Sequence, residues 1–217
     1  HPLGEVFPDC RTLSVAKLDL KEKPGFLYRH IWGSQWSGDT LWKIWNGHGG
    51  VPLNTGHAWG NYVSRDLFAQ HPDYFRQRDG QREPSDWYCT SNPQLRRAFA
   101  QGVIERIQAG TQHPSLSPPD GRGYCECDRC GAQDDPHSRE PSSNHVCITN
   151  RYVDFYQDVA QQVQAVHPDS ILNFYCYADY TQAPTSGIRL APNLCAWIAP
   201  IRYCRYHRIG DPACPSR

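Results

Sequence analysis

Across residues 113–130 the chain reads His-Pro-Ser-Leu-Ser-Pro-Pro-Asp-Gly-Arg-Gly-Tyr-Cys-Glu-Cys-Asp-Arg-Cys. The pattern predicts a short strand, then a Pro-Pro-Asp-Gly turn, then three cysteines spaced C-x-C-x-x-C with Glu126 between the first two. A strand ending in Asp-Gly carries a carboxylate at its carboxyl end, where the sites of α/β enzymes and barrels collect. Asp120 is therefore the first catalytic candidate. Asp-Gly is also a favoured turn pair, so the turn alone can account for it.

Cleavage of a glycosidic bond typically uses two carboxyl groups, one protonated to help the leaving group and one ionised to attack or to activate water. Glu126 is the nearest second carboxyl in sequence, although a Glu flanked by cysteines can simply face solvent. Its rival is Asp179, which follows the run Tyr175-Cys176-Tyr177. Tyr175 and Tyr177 are two residues apart and share one side of their strand, so one or both can meet a ligand at its end. A second Gly-containing run, residues 51–60, holds His57 and Trp59. A His flanked by glycines at a strand end suits a hydrogen-bond donor or a general acid/base near neutral pH. Trp59 offers the kind of flat ring that stacks on a sugar face, with core packing as its alternative fate.

Cys125, Cys127 and Cys130 place three soft ligands within six residues, and a tetrahedral zinc site needs four. Cys89 is the expected fourth because it ends the preceding strand; His137 and Cys147 are weaker substitutes. The alternative is disulfide bonding, in which each cysteine would need a distant partner, since C-x-C pairs are too short to bridge each other comfortably. In the metal reading the role is structural, because four thiolates leave no open coordination position.

The chain has 217 residues, enough for one domain or for part of a larger one. Lys+Arg and Asp+Glu both total 22, so no net charge draws it to nucleic acid or to a membrane surface. No apolar run approaches the roughly 20 residues of a membrane helix. Ten cysteines point to an oxidising compartment, hence a secreted or periplasmic protein, although no signal peptide is visible. The first residue is His1 and methionine is absent, so a piece of a longer reading frame is expected. An amino-terminal His could also belong to a copper monooxygenase acting on polysaccharides; those are β-sandwiches, and the helices predicted below speak against one. Oligomeric state is not indicated.

The elements that must position these residues follow from periodicity. Residues 1–50 form an irregular segment in which Trp32, Trp36, Trp42 and Trp45 crowd together among glycines. From 51 to 217 the pattern is that of alternating strands and helices. Ser64 caps a short helix ending before Pro72, and Tyr74 and Phe75 read as core. Residues 78–82 are a polar turn. Asn92 caps a helix that has Pro93 at its first position, presents Leu95, Phe99, Val103, Ile104 and Ile107 on one face, and runs to about residue 109. Residues 145–166 give a helix with an apolar stripe that includes Val146, Val153, Val159 and Val163. Strands are expected at 171–177 and 193–198. This order predicts βα units around a parallel sheet, and strands buried on both faces fit an α/β fold that is part of a (β/α)8 TIM-like barrel.

His71-Pro-Asp-Tyr-Phe75, Gly80-Gln-Arg82, Cys89-Thr-Ser-Asn-Pro93, the run from Ser115 to Gly121, the run from Cys125 to Cys130, Asn150-Arg151 and His167-Pro-Asp169 together resemble the bacterial domain of unknown function 4838. That family consists of exported, glycoside-hydrolase-like proteins and is similar at greater distance to α-glucuronidase and hexosaminidase barrels. The resemblance implies a (β/α)8 barrel with Asp120 and the cysteine loop on its carboxyl-terminal face, and a chain much longer than this one. It implies a carbohydrate substrate and either a glycoside hydrolase or a non-catalytic carbohydrate-binding barrel. Here Pro119 stands where an Asn or Asp is expected before Asp120.

Overall fold

The computed structural model describes residues 9, 11, 12, 14–30, 40–202, 204–208 and 210–214. His1, Trp32 and Trp36 lie outside them. The chain divides into two compact units, His1–Val51 and Pro52–Arg217. In the first, strand β1 (Tyr28–Arg29) pairs antiparallel with β2 (Gly49–Gly50), and the short helix α1 (Thr40–Trp45) carries Trp42 and Trp45. The ring of Trp42 meets His48 edge-on at 5.5 Å.

The second unit is built on four extended segments that run parallel and lie side by side in chain order. The segment at 54–58 lies beside 113–117, where the amides of Asn54 and Ala58 donate to the carbonyls of His113 and Ser117, both at 3.0 Å. Segment 113–117 pairs in turn with β5 (Leu172–Cys176), through Leu116 N–H to Asn173 O at 2.6 Å and Asn173 N–H to Pro114 O at 3.1 Å. β5 pairs in parallel with β6 (Leu194–Ile198) over its full length. Parallel neighbours need long crossovers, and two of the three contain a helix. Helix α2 (Pro93–Gln108) lies between the first and second segments, and helix α4 (Thr149–Gln164) between the second and β5; a four-residue turn of helix, α3 (Asp128–Gly131), follows the second segment.

Local chemistry explains the helix ends. The Asn92 side chain accepts from the amides of Gln94 at 2.8 Å and Leu95 at 3.1 Å, and Pro93 occupies a first-turn position whose amide has no helical partner. Gly110, at φ +107°, lets the chain leave α2. Helix α4 starts at Thr149 rather than at 145, because residues 145–147 pair back on 138–140: Glu140 N–H reaches His145 O at 2.9 Å and Cys147 N–H reaches Ser138 O at 2.9 Å. Val146 thus belongs to a bridge with Arg139 and not to the helical stripe. Ser64 does cap, accepting from Asp66 N–H at 3.2 Å, but what it caps is a tight 3-10 turn, Arg65–Ala69. Residues 77–82 are a hairpin of β3 (Gln77–Arg78) and β4 (Gln81–Arg82), whose Asp79 and Gly80 at φ +47° and +78° supply the left-handed turn that matches strand twist.

The core is aromatic. Trp59 sits at its centre, stacked on Tyr88 at 5.6 Å and met edge-on by Phe99, Tyr152 and Phe155. α2 supplies Leu95, Phe99 and Val103, and α4 supplies Tyr152, Phe155, Tyr156 and Val159, all buried. Across the contact between these helices Arg96 binds Asp154 at 2.6 Å and Asp158 at 3.4 Å while lying over the Phe155 ring. α2 also runs so close to the chain at Tyr62 that a Cβ on Gly102 would fall 2.1 Å from the Tyr62 carbonyl oxygen.

Alanine in place of a mid-helix glycine ordinarily gains about 1 kcal/mol. At this position the clash is with backbone, which cannot swing away, and overpacking of a closed core costs about 1–3 kcal/mol. Gly102→Ala should therefore lower the thermal midpoint and the denaturant midpoint; a stabilised variant would contradict the close approach.

Candidate functional site

Because the four segments are parallel, their carboxyl ends share one edge, and the residues just past those ends come together. Asp120, three residues beyond the second segment, is exposed and accepts a hydrogen bond from the Tyr177 hydroxyl at 3.3 Å, while its own Oδ1 also accepts from Gly121 N–H at 2.9 Å. Tyr177 lies one residue past β5. His57, near the end of the first segment, meets Tyr175 at 5.6 Å and Tyr177 at 6.3 Å between ring centroids. Its Nδ1 lies 2.5 Å from the Pro118 carbonyl, which can only accept, so Nδ1 carries a proton. Asp120, His57, Tyr175 and Tyr177, far apart in sequence, thus form one cluster. A small cleft of ≈ 130 Å³ beside it is lined by His57 with Asn54, Thr55, Arg106, Thr111 and Ser115.

Next to the cluster lies a buried anion. Asp179 has no exposed side-chain surface, and its Oδ2 accepts from Arg122 Nε at 2.7 Å while Oδ1 accepts from Arg202 Nη1 at 3.0 Å and lies 3.2 Å from His145 Nδ1. The Tyr124 hydroxyl reaches Oδ2 at 3.4 Å. Burial pushes this carboxyl up, but the hydrogen bonds from Arg122, His145 and Arg202 outweigh it and hold the group below the usual carboxylate range. Arg202 also bridges Glu140 at 3.1 Å. The chain enters this network through Ala178 at φ +48°, a left-handed conformation that costs a non-glycine residue strain and sets the directions of Tyr177 and Asp179 on either side.

Two predicted contacts are corrected by this arrangement. Trp59 is 1% exposed and its indole N–H donates to Leu116 O at 2.5 Å, so its faces are spent on the core and none is open to a ligand. Asp179 is likewise enclosed, every oxygen committed to its own neighbours, and it positions loops rather than facing a substrate. Glu126 is exposed and accepts from Asp79 N–H at 3.1 Å, which ties it to the β3–β4 hairpin.

The four cysteines converge. Cys89, Cys125, Cys127 and Cys130 are all buried and their sulfurs lie within 4.8 Å of one another, a group that can hold a metal ion. Cys89 Sγ is 3.6 Å from Cys127 Sγ and 3.8 Å from Cys130 Sγ, far from the ~2.05 Å of a disulfide. His137 and Cys147 lie outside the group. The hydrogen bonds of Cys125 and Cys130, assisted by Ser91 and Arg82, hold the Cys89 thiol below its usual range. Gln77 N–H points at Cys125 Sγ at 3.3 Å and Arg82 Nη1 stands 3.7 Å from it. Arg151, buried in the first turn of α4, grips the Cys125 carbonyl at 2.7 Å and pairs with Asp134.

The structure gathers the four cysteines and, separately, Asp120 with Tyr177, Tyr175 and His57, all named from the sequence, whereas Arg122, His145, Arg202 and Arg82 were not. Arg122 stands two residues from Asp120, and a cation so near a candidate carboxylate is a usable signal. Nothing local marks His145 or Arg202, which meet Asp179 only through the fold.

The sign of the Asp179 shift gives a test. Its folded pKa lies below the ~3.9 of the unfolded chain, so its contribution to stability is complete above that value and is lost as pH falls through the depressed folded pKa. Asp179→Asn, which leaves two arginines facing a neutral amide, should cost about 3–5 kcal/mol near pH 7, and the gap between parent and variant in urea unfolding should narrow below about pH 4. A gap independent of pH would contradict an ionised Asp179.

Comparison with known proteins adds the family. No curated protein and no solved structure matches the chain. A family profile described as Domain of unknown function (DUF4838) matches residues 1–213. With nearly its whole length matched, and with the cysteine loop and Asp120 inside the match, the chain belongs to the DUF4838 family.

Proposed function

We propose that this chain is part of a (β/α)8 TIM-like barrel of a carbohydrate-active enzyme of the glycoside hydrolase type, acting on a polysaccharide or oligosaccharide. The observation that carries the reading is the cluster of Asp120, Tyr177, Tyr175 and His57 at the shared carboxyl edge of three neighbouring parallel segments. An exposed carboxyl held by one tyrosine hydroxyl, with aromatic rings and an imidazole beside it, suits protonation of, or attack on, a sugar acetal. Asp120 is the acid or nucleophile in this reading, His57 and the tyrosines contact substrate, and the compartment is secreted or periplasmic.

The cysteine group is assigned to one structural zinc. A tetrahedron with zinc–sulfur bonds of about 2.3 Å has edges of about 3.8 Å, which the Cys89 distances of 3.6 and 3.8 Å match. Four thiolates leave no position for substrate, so the ion would clamp Cys89 to the loop that follows Asp120 and take no part in the chemistry.

A second reading, a carbohydrate-binding barrel without cleavage, is favoured by one fact: Asp179 and Glu126 are both engaged elsewhere, so neither is a ready partner for Asp120. Asp120→Asn separates the two. In the enzyme reading, release of reducing ends from an oligosaccharide panel should fall by roughly 10²–10⁴-fold with zinc content unchanged. In the binding reading no parent activity exists and only affinity shifts; turnover equal to the parent would remove Asp120 from the chemistry. For the clamp, Cys130→Ser should lower the zinc count by one per chain and lower the thermal midpoint.

A further inference from the structure

A second group of donors lies in the segment after β6, outside the site described above. Cys204 and His207 are three positions apart and Cys214 follows seven residues later. One ligand atom from each lies within 4.8 Å of the other two. Cys204 Sγ is 3.1 Å from His207 Nδ1, and the Tyr206 amide donates to the same sulfur at 3.4 Å. Cys214 is folded back toward them by a turn: Gly210 takes φ +82°, Asp211 N–H bonds to Arg208 O at 3.1 Å, and Ala213 N–H and Cys214 N–H return to the Asp211 side chain and carbonyl, both at 3.0 Å. The result is a buried sulfur, a half-buried sulfur and an exposed imidazole gathered in one small space.

Two thiols and an imidazole make a donor set suited to zinc and its softer neighbours and ill suited to calcium or magnesium. A Cys204–Cys214 disulfide would use the two sulfurs but leave unexplained why an imidazole nitrogen and a backbone amide are turned onto Cys204. A metal ion accounts for all three donors, and the amide then acts as the outer support that thiolate ligands commonly carry.

We propose that Cys204, His207 and Cys214 form a second metal site, independent of the four-cysteine group, for a zinc-class divalent cation. Water takes the fourth position, since three protein ligands leave one open, and the exposed His207 gives the ion entry from solvent. Binding there closes residues 204–214 into a loop and pins the chain two residues beyond Arg202, whose guanidinium reaches Asp179 at 3.0 Å.

The test is elemental analysis of the zinc-loaded, desalted 217-residue chain against its Cys204→Ser/Cys214→Ser and His207→Ala variants, with peptide mapping of the parent under non-reducing conditions. Both variants should carry one ion fewer per chain than the parent, whatever the count at the four-cysteine group. Equal counts in all three would overturn the site, as would a parent in which residues 204 and 214 are joined by a disulfide with the loss of two hydrogens. Should the double variant misfold and shed all its metal, His207→Ala, which keeps both thiols, decides by itself.

Discussion

A carboxylate removed from water has to be matched by positive charge, and that requirement at Asp179 arranges the carboxyl-terminal edge of the parallel segments. Its partners come from three separate places in the chain: Arg122 after the second segment, His145 before α4 and Arg202 after β6. An unpaired buried charge costs several kcal/mol, so these loops are not independent of one another. The edge therefore behaves as one electrostatic unit, with the exposed Asp120 and Tyr177 mounted on it.

The cysteine group does comparable work by different means. It joins the chain just before α2, at Cys89, to the loop 125–130, and the β3–β4 hairpin closes over it through Gln77 and Arg82. Asp120 is thus followed within five residues by two anchors, the ion-pair network through Arg122 and the sulfur group through Cys125. In the function proposed above, Asp120 would gain from such support, since tolerances for chemistry are a fraction of an ångström.

What could be read in the sequence was what local chemistry decides. Asn92 with Pro93 marks a helix start whatever lies around it, and the 3.6-residue period of α2 and α4 declares their buried faces. The C-x-C-x-x-C spacing marked three of the four gathered sulfurs; Cys89 joins them by another route than expected, since it ends none of the parallel segments and lies in the crossover before α2, next to the antiparallel bridge of Phe75 and Tyr88. Where reading failed, a long-range contact had overridden a local preference. Residues 145–148 carry an apolar pattern that continues α4, yet the amides of Cys147 and Ile148 are taken by the Ser138 and Asp179 carbonyls and the His145 carbonyl by the Glu140 amide, so the helix begins later. Trp59 looks like a sugar platform in a glycine-rich run until the rings of α2 and α4 arrive from 40 and more residues away and enclose it. Pairing of the segments at 54–58 and 113–117 is held by backbone bonds and by the Asn173 amide, which leave no trace in residue type.

Arg151 carries a consequence for how the unit assembles. It is rooted in the first turn of α4, buried, and bonded at once to the Cys125 carbonyl and to Asp134, on either side of the short helix α3. α4 can seat fully only when the cysteine loop is already shaped to receive that guanidinium, and α4 in turn supplies Tyr152 and Phe155 to the rings around Trp59. The shape of the cysteine loop and the closure of the aromatic core are thereby coupled through one side chain. In the metal reading proposed above, loss of the ion would therefore be felt as far as the rings around Trp59.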